Sequence, residues 1–172
     1  MQRINPRLSS ALVIVFLSAS FLSAQAPSAA PTAPVPAQII SARKLFISNC
    51  GEQRNPSGDL YFSGGPDRAY NQFYAAVKDW GRYEIVSAPA DADLVLQIHV
   101  ADARGSGLSE LDLVVLDPKT HVTLWTLSEH ASAAGRQKTR DASLDRAIFL
   151  LSDDLKKLAA GATLAAAGVE KK

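Results

Sequence analysis

Residues 93–101, Asp-Leu-Val-Leu-Gln-Ile-His-Val-Ala, constrain this chain more than any other stretch. Leu94, Leu96, Ile98 and Val100 fall on one side of an extended backbone, and Val95, Gln97 and His99 fall on the other. Side chains of a strand point alternately to opposite faces, so the pattern predicts a strand with one strongly apolar face. Such a face must be covered by another layer. Two more strands follow at once. The "RGSG" of 104–107 makes a flexible turn into "LDLVVL" (111–116), and "DPKT" (117–120) turns that strand back into "HVTLWTLSEH" (121–130). Proline at the second position of a four-residue turn is pre-set for type I or II geometry.

The covering layer is equally legible. In "DRAYNQFYAAVKDWG" (67–81), Tyr70, Phe73, Tyr74, Val77 and Trp80 recur at helical spacing on one face. Asp67 is expected to accept hydrogen bonds from the first-turn amides, and Gly81 to take the left-handed position after the last turn. In "SLDRAIFLLSDDLKKLAAG" (143–161), Leu144, Ala147, Ile148, Leu151, Leu155 and Leu158 form a second buried stripe. Asp153 and Lys157 make an exposed pair on that helix. Before these, "ARKLFISN" (42–49) is rich in strand formers, and the glycine-punctuated 50–66 stretch reads as a polar loop. "RYEIVSA" (82–88) is the second strand, closed off by Pro89.

The order is β-α-β-β-β-α. Each helix has one apolar stripe and each strand one strongly apolar face. The expected fold is therefore an α/β two-layer sandwich, a mixed sheet with two helices on one face. The last three strands are expected to be antiparallel, and the first two to be joined by a βαβ crossover.

With 172 residues, the chain suffices for one domain with a real core. Its first 26 residues are expected to be a signal peptide. Arg3 and Arg7 precede a 12-residue apolar run (11–22), and small residues follow up to Ala24 and Ala26, the two expected cleavage points. That run is short of the roughly 20 residues that span a bilayer as a helix. Residues 27–38, with four prolines and no charge, are expected to be a spacer. The domain then covers 39–161, and an alanine-rich tail covers 162–172. Without residues 1–26 the chain carries 16 basic and 17 acidic residues, which is no footprint for nucleic acid or an acidic membrane. The chain is thus expected to be periplasmic or secreted. Cys50 is the only cysteine, so no internal disulfide is available; the thiol is either unpaired or joined to a second chain.

The sequence resembles a group of bacterial envelope domains. The likeness lies in "LFISN", in "YNQFYAAVKDWGRYEIVSAP", in "ADADLVLQIHV" and in "LDLVVLDPKTHVTLWT". These look like the curli-secretion lipoprotein, the amino-terminal domain of the Tol-Pal translocation protein, and the lipoprotein activator of penicillin-binding proteins. Uncharacterised periplasmic lipoproteins share the layout. The resemblance covers about residues 42–160 and implies docking onto envelope partners rather than catalysis. This sequence departs from the group in lacking a lipobox cysteine at the signal-peptide junction.

The hairpin and the long loop hold the candidate sites. With a two-residue turn, hairpin residues whose numbers sum to 237 stand opposite each other. Leu113 and Val115 then lie on the core face, and Asp112 faces Trp125 on the other side, where His99 and Gln97 join them. His99, His121 and Asp112 share that face but are several strand spacings apart, with no His-x-His pair, so no metal site is expected. Trp125 is expected on the face away from the helices, either as an interface aromatic or beneath a covering segment. The 50–66 loop supplies Arg54 and Tyr61 as further candidate contacts. Its "SGGPD" lacks a following Gly-Lys-Ser/Thr and is no phosphate cradle. No Gly-x-Ser-x-Gly occurs, and no histidine lies in the Cys50 loop. No catalytic group and no cofactor are therefore expected. The expected function is a non-catalytic, exported docking domain with an envelope protein as partner, using His99, Asp112, His121, Trp125, Arg54 and Tyr61. The alternatives are a small-ligand or peptide binder, or minor hydrolase, rimmed by the 50–66 loop, and a structural subunit dimerised through Cys50 or a strand edge.

Overall fold

The computed structural model describes residues 33–52, 61–102 and 107–161. The expected signal peptide, the first half of the expected spacer, Arg54, most of the 104–107 turn and the expected 162–172 tail lie outside them. Strands β1 (Lys44–Glu52), β2 (Glu84–Ile85), β3 (Leu94–Asp102), β4 (Leu108–Leu116) and β5 (Thr123–Ser132) form one sheet. Its order is β2-β1-β3-β4-β5. β1 runs parallel to both β2 and β3, while β3–β4 and β4–β5 are antiparallel. Helices α1 (Ala37–Ser41), α2 (Arg68–Trp80) and α3 (Gln137–Ala159) complete the fold. α2 packs on α3, β1 and β3, and α3 packs on β4 and β5. The mixed sheet with two long helices on one face is the expected architecture.

Alternation explains the core. Leu45, Ile47, Leu94, Leu96, Ile98, Val100, Leu111, Leu113 and Val115 are all buried and form the sheet's contribution beneath the helices. Phe73 and Val77 of α2 and the whole predicted α3 stripe, Leu144 to Leu158, are buried against them. Gly81 takes φ 68 after α2, where a side chain would be strained. Lys157 pairs with Asp153 at 2.9 Å and with Asp154 at 2.8 Å on the outer side of α3.

Several local expectations are corrected. Asp67 makes no side-chain cap; its carboxylate accepts from Asn49 Nδ2 at 2.6 Å instead and ties α2 to β1. The second strand is two residues long rather than seven, and β1 extends to Glu52. α1 begins inside the stretch expected as spacer and buries Ile39 completely. Arg82 holds this helix: its Nη2 donates to the Ile40 carbonyl at 2.9 Å. The same guanidinium lies over the rings of Trp80 and Tyr83, 5.8 and 5.4 Å from their centroids. Trp80, expected in the core, is only half-buried against it and meets Tyr83 edge-on at 5.2 Å.

α3 starts seven residues before the apolar stripe does. A polar lock explains the extension. Asp141 accepts from the Ser63 amide at 2.9 Å, the Ser63 hydroxyl at 2.7 Å and Gln137 Nε2 at 2.9 Å. Arg68 Nη1 sits 2.9 Å from the same carboxylate, and its Nη2 reaches Asp145 at 2.5 Å. Partial burial alone would raise the Asp141 carboxyl, but the Ser63 donors, Gln137 and Arg68 outweigh it and hold it at about 2.

Candidate docking face

Both long helices cover one face of the sheet, so the other face defines the candidate site. Register places its side chains in rows across the strands. Phe46, Val95 and Leu116 stand side by side on β1, β3 and β4. The next row is Ser48, Gln97, Val114 and Thr126. Beyond it come His99, Asp112 and Ser128, and then Ala101, Glu110 and His130. The face therefore grades from an apolar end to a polar end. At the polar end Ser128 Oγ donates to Asp112 Oδ1 at 2.5 Å.

At the apolar end the row becomes the floor of a groove. Phe46, Ser48, Val95, Gln97 and Leu116 line it together with Pro89, Pro118 and His121, enclosing about 260 Å³. The walls come from the 3₁₀ turn Pro89–Asp91 on one side and the β4–β5 connection on the other. That connection is rigidly made. Asp117 Oδ1 accepts from the Lys119 amide at 2.9 Å, and Oδ2 accepts from the Thr120 hydroxyl at 2.8 Å. The Lys119 amide foremost, with the Thr120 hydroxyl, holds the Asp117 carboxyl below the usual carboxylate range. The His121 amide donates to the Asp117 carbonyl at 2.9 Å, and the Asp117 amide to the Val122 carbonyl at 3.0 Å.

This turn overturns the expected hairpin register. Asp117 meets Val122, so the loop has four residues instead of two, and His121 closes it with φ 58. Leu116 pairs with Thr123, but Val115 pairs with Trp125, leaving Leu124 as a bulge residue. Facing residues then sum to 239 at the turn and 240 beyond the bulge, not 237. An odd shift moves every side chain of the return strand to the opposite face. Asp112 accordingly faces Ser128 rather than Trp125.

The six expected site residues therefore separate. His99 and Asp112 are direct neighbours on the open face, and His121 stands at the rim of the groove. Trp125 does not belong there: it shares the helix side with Val115 and packs half-buried against the core. Tyr61 also packs against the core, and its carbonyl accepts from Arg140 Nε of α3 at 2.9 Å. Arg54 and positions 53–60 of the 50–66 loop lie outside the described residues. Phe46, Leu116, Glu110, Ser128 and His130 were not singled out from the sequence. Strand parity was the signal for the first two; the last two needed the true register. Cys50 is exposed. Among the described residues, no three His, Cys, Asp or Glu side chains converge as metal ligands. Among them also, no helix is long and apolar enough to cross a membrane.

The arrangement is that of a two-layer α/β sandwich with one open sheet face. No family model and no curated protein matches the sequence. Among solved structures, the chain is similar to a DUF330-family protein from Xanthomonas campestris, at 17% identity and a TM-score of 0.43, over 73% of this chain and 89% of that one. A PelC variant dodecamer from Paraburkholderia phytofirmans matches at 15% identity and 0.41, over 70% and 88% of the two chains. The LpoB C-terminal domain from Salmonella enterica matches at 13% and 0.40, over 52% and 82%. Likenesses this distant assign no role to any residue.

Proposed function

We propose that this chain is an exported docking domain that binds another protein of the cell envelope through its open sheet face, and that it acts by binding rather than by catalysis. The observation that carries the reading is the apolar row Phe46–Val95–Leu116, which floors a walled groove on the one face the helices leave bare. A partner's apolar side chain entering that groove loses water-exposed area, the dominant favourable term in association. Beyond it, His99, Asp112, Ser128, Glu110 and His130 supply donors and acceptors that set orientation, in keeping with an apolar centre and polar rim. The groove walls are fastened by the Asp117 hydrogen bonds, so little ordering entropy is lost on binding.

The test is affinity capture from envelope extract with the wild-type chain and with Leu116→Lys. One stoichiometric partner captured by the wild type and lost with the variant, at unchanged thermal stability, supports the reading. Equal capture by both removes the open face from it.

A further inference from the structure

A second surface lies at the opposite edge of the sheet from β5. Backbone bonding shows which groups of β1 face it. The Glu84 amide donates to the Arg43 carbonyl and the Val86 amide to the Leu45 carbonyl, both at 2.9 Å, so odd-numbered residues of β1 point toward β2. The Asp93 amide donates to the Lys44 carbonyl at 2.9 Å, so even-numbered residues point toward β3. β2 ends at Ile85 and the chain then turns away into Pro89–Asp91. β1 runs on for several more residues. Ile47 and Asn49 thus present their main-chain N–H and C=O outward, and among the described residues no hydrogen bond meets them on that side. The Gly51 amide ends the free stretch by folding back onto Asn49 Oδ1 at 2.8 Å.

A cavity of about 290 Å³ lies beside this edge, lined by Phe46, Ile47, Tyr70, Tyr74, Ile85, Val86 and Ser87. Tyr70 and Tyr74 of α2 are both half-buried, with ring centroids 6.0 Å apart, and form its helical wall. We propose that this groove between β1 and α2 is a strand-addition site, and that its ligand is an extended peptide segment of a partner protein with an uncharged side chain at every second position. Donors and acceptors two residues apart on a strand recur at about 6.6 Å, a spacing that a second extended backbone matches along its length. In the added strand, alternate side chains lie over the tyrosine pair and the rest lie beside Phe46 and Val86. Main-chain bonds supply the affinity, and the tyrosine-walled cavity selects the side chains. The site adjoins the open face at Phe46, but its free main-chain groups and its tyrosine pair are no part of that face, so either can fail without the other.

The test uses an isotope-labelled sample of the protein and an acetylated, amidated octapeptide of alternating valine and threonine. Saturable shifts and slowed hydrogen exchange at the Ile47 and Asn49 amides are expected. N-methylation of one alternate set of peptide amides should abolish binding, while methylation of the other set leaves it. Tyr74→Lys should weaken binding about tenfold or more. Should that variant not fold, Ser87→Trp, at an exposed position on the rim, provides the same block. The proposal is overturned by the absence of saturable shifts at millimolar peptide, by equal binding of both methylated peptides, or by shifts confined to β5 or to the Phe46–Leu116 groove.

Discussion

Replacing Asp141 with asparagine keeps the shape of the polar lock and removes its charge. The carboxyl is held at about 2 against an ordinary 3.8, a difference that corresponds to about 2.4 kcal/mol at 1.36 kcal/mol per unit. The side chain is 20% exposed, and water screens its contacts with Ser63 and Arg68. The loss at neutral pH should therefore be nearer about 1 kcal/mol. Because the folded-state pKa lies below the unfolded one, the contribution is complete above the unfolded value and disappears as pH falls from about 4 toward 2. Urea unfolding of wild type and Asp141→Asn at a series of pH values measures this directly. The expected result is a gap of about 1 kcal/mol at pH 7 that closes near pH 2. A gap that stays constant over that range, or no gap at neutral pH, would refute the assignment of α3's first turns to this ionic lock.

Further outcomes follow from the register. Trp125→Lys should cost about 2 kcal/mol or more, since it buries a charge against the core, whereas Thr126→Lys on the exposed side should stay within about 0.5 kcal/mol; thermal melts compare them. His121→Gly should hold or modestly raise stability, and His121→Val should lower it by about 1 kcal/mol, because only the latter adds a branched side chain at φ 58. Glu129 lies on the helix side opposite Leu111, where burial first and Asp154 second raise its carboxyl above the usual range. Its ionisation therefore opposes folding as pH rises, and Glu129→Gln should melt higher than wild type at neutral pH but not at pH 3.

The parts of the fold legible in the sequence are those where one period dominates. Leu94 to Val100 alternate without interruption, and Leu144 to Leu158 keep helical spacing, so both faces are assignable from the sequence alone. The hairpin was not legible beyond its existence. "DPKT" is compatible with a two-residue loop, and nothing local announces that His121 will adopt a left-handed conformation or that Leu124 will bulge. Those two events together turned Trp125 inward and replaced it on the open face with Thr126 and Ser128. The first two turns of α3 carry no apolar stripe at all. They are helical because Asp141 and Arg140 find partners at Ser63 and Tyr61, about 80 residues away, a tertiary cause that no sequence window contains.

The central claim, that the envelope partner of the proposed function meets the bare sheet face and not the outer side of α3, is tested most directly by site-specific photo-crosslinking in intact cells. One photoreactive residue replaces Gln97 on the open face, and another replaces Phe149, which is 69% exposed on α3. A discrete adduct from position 97 and none from position 149 is predicted. An adduct from position 149 with none from position 97 would contradict the account.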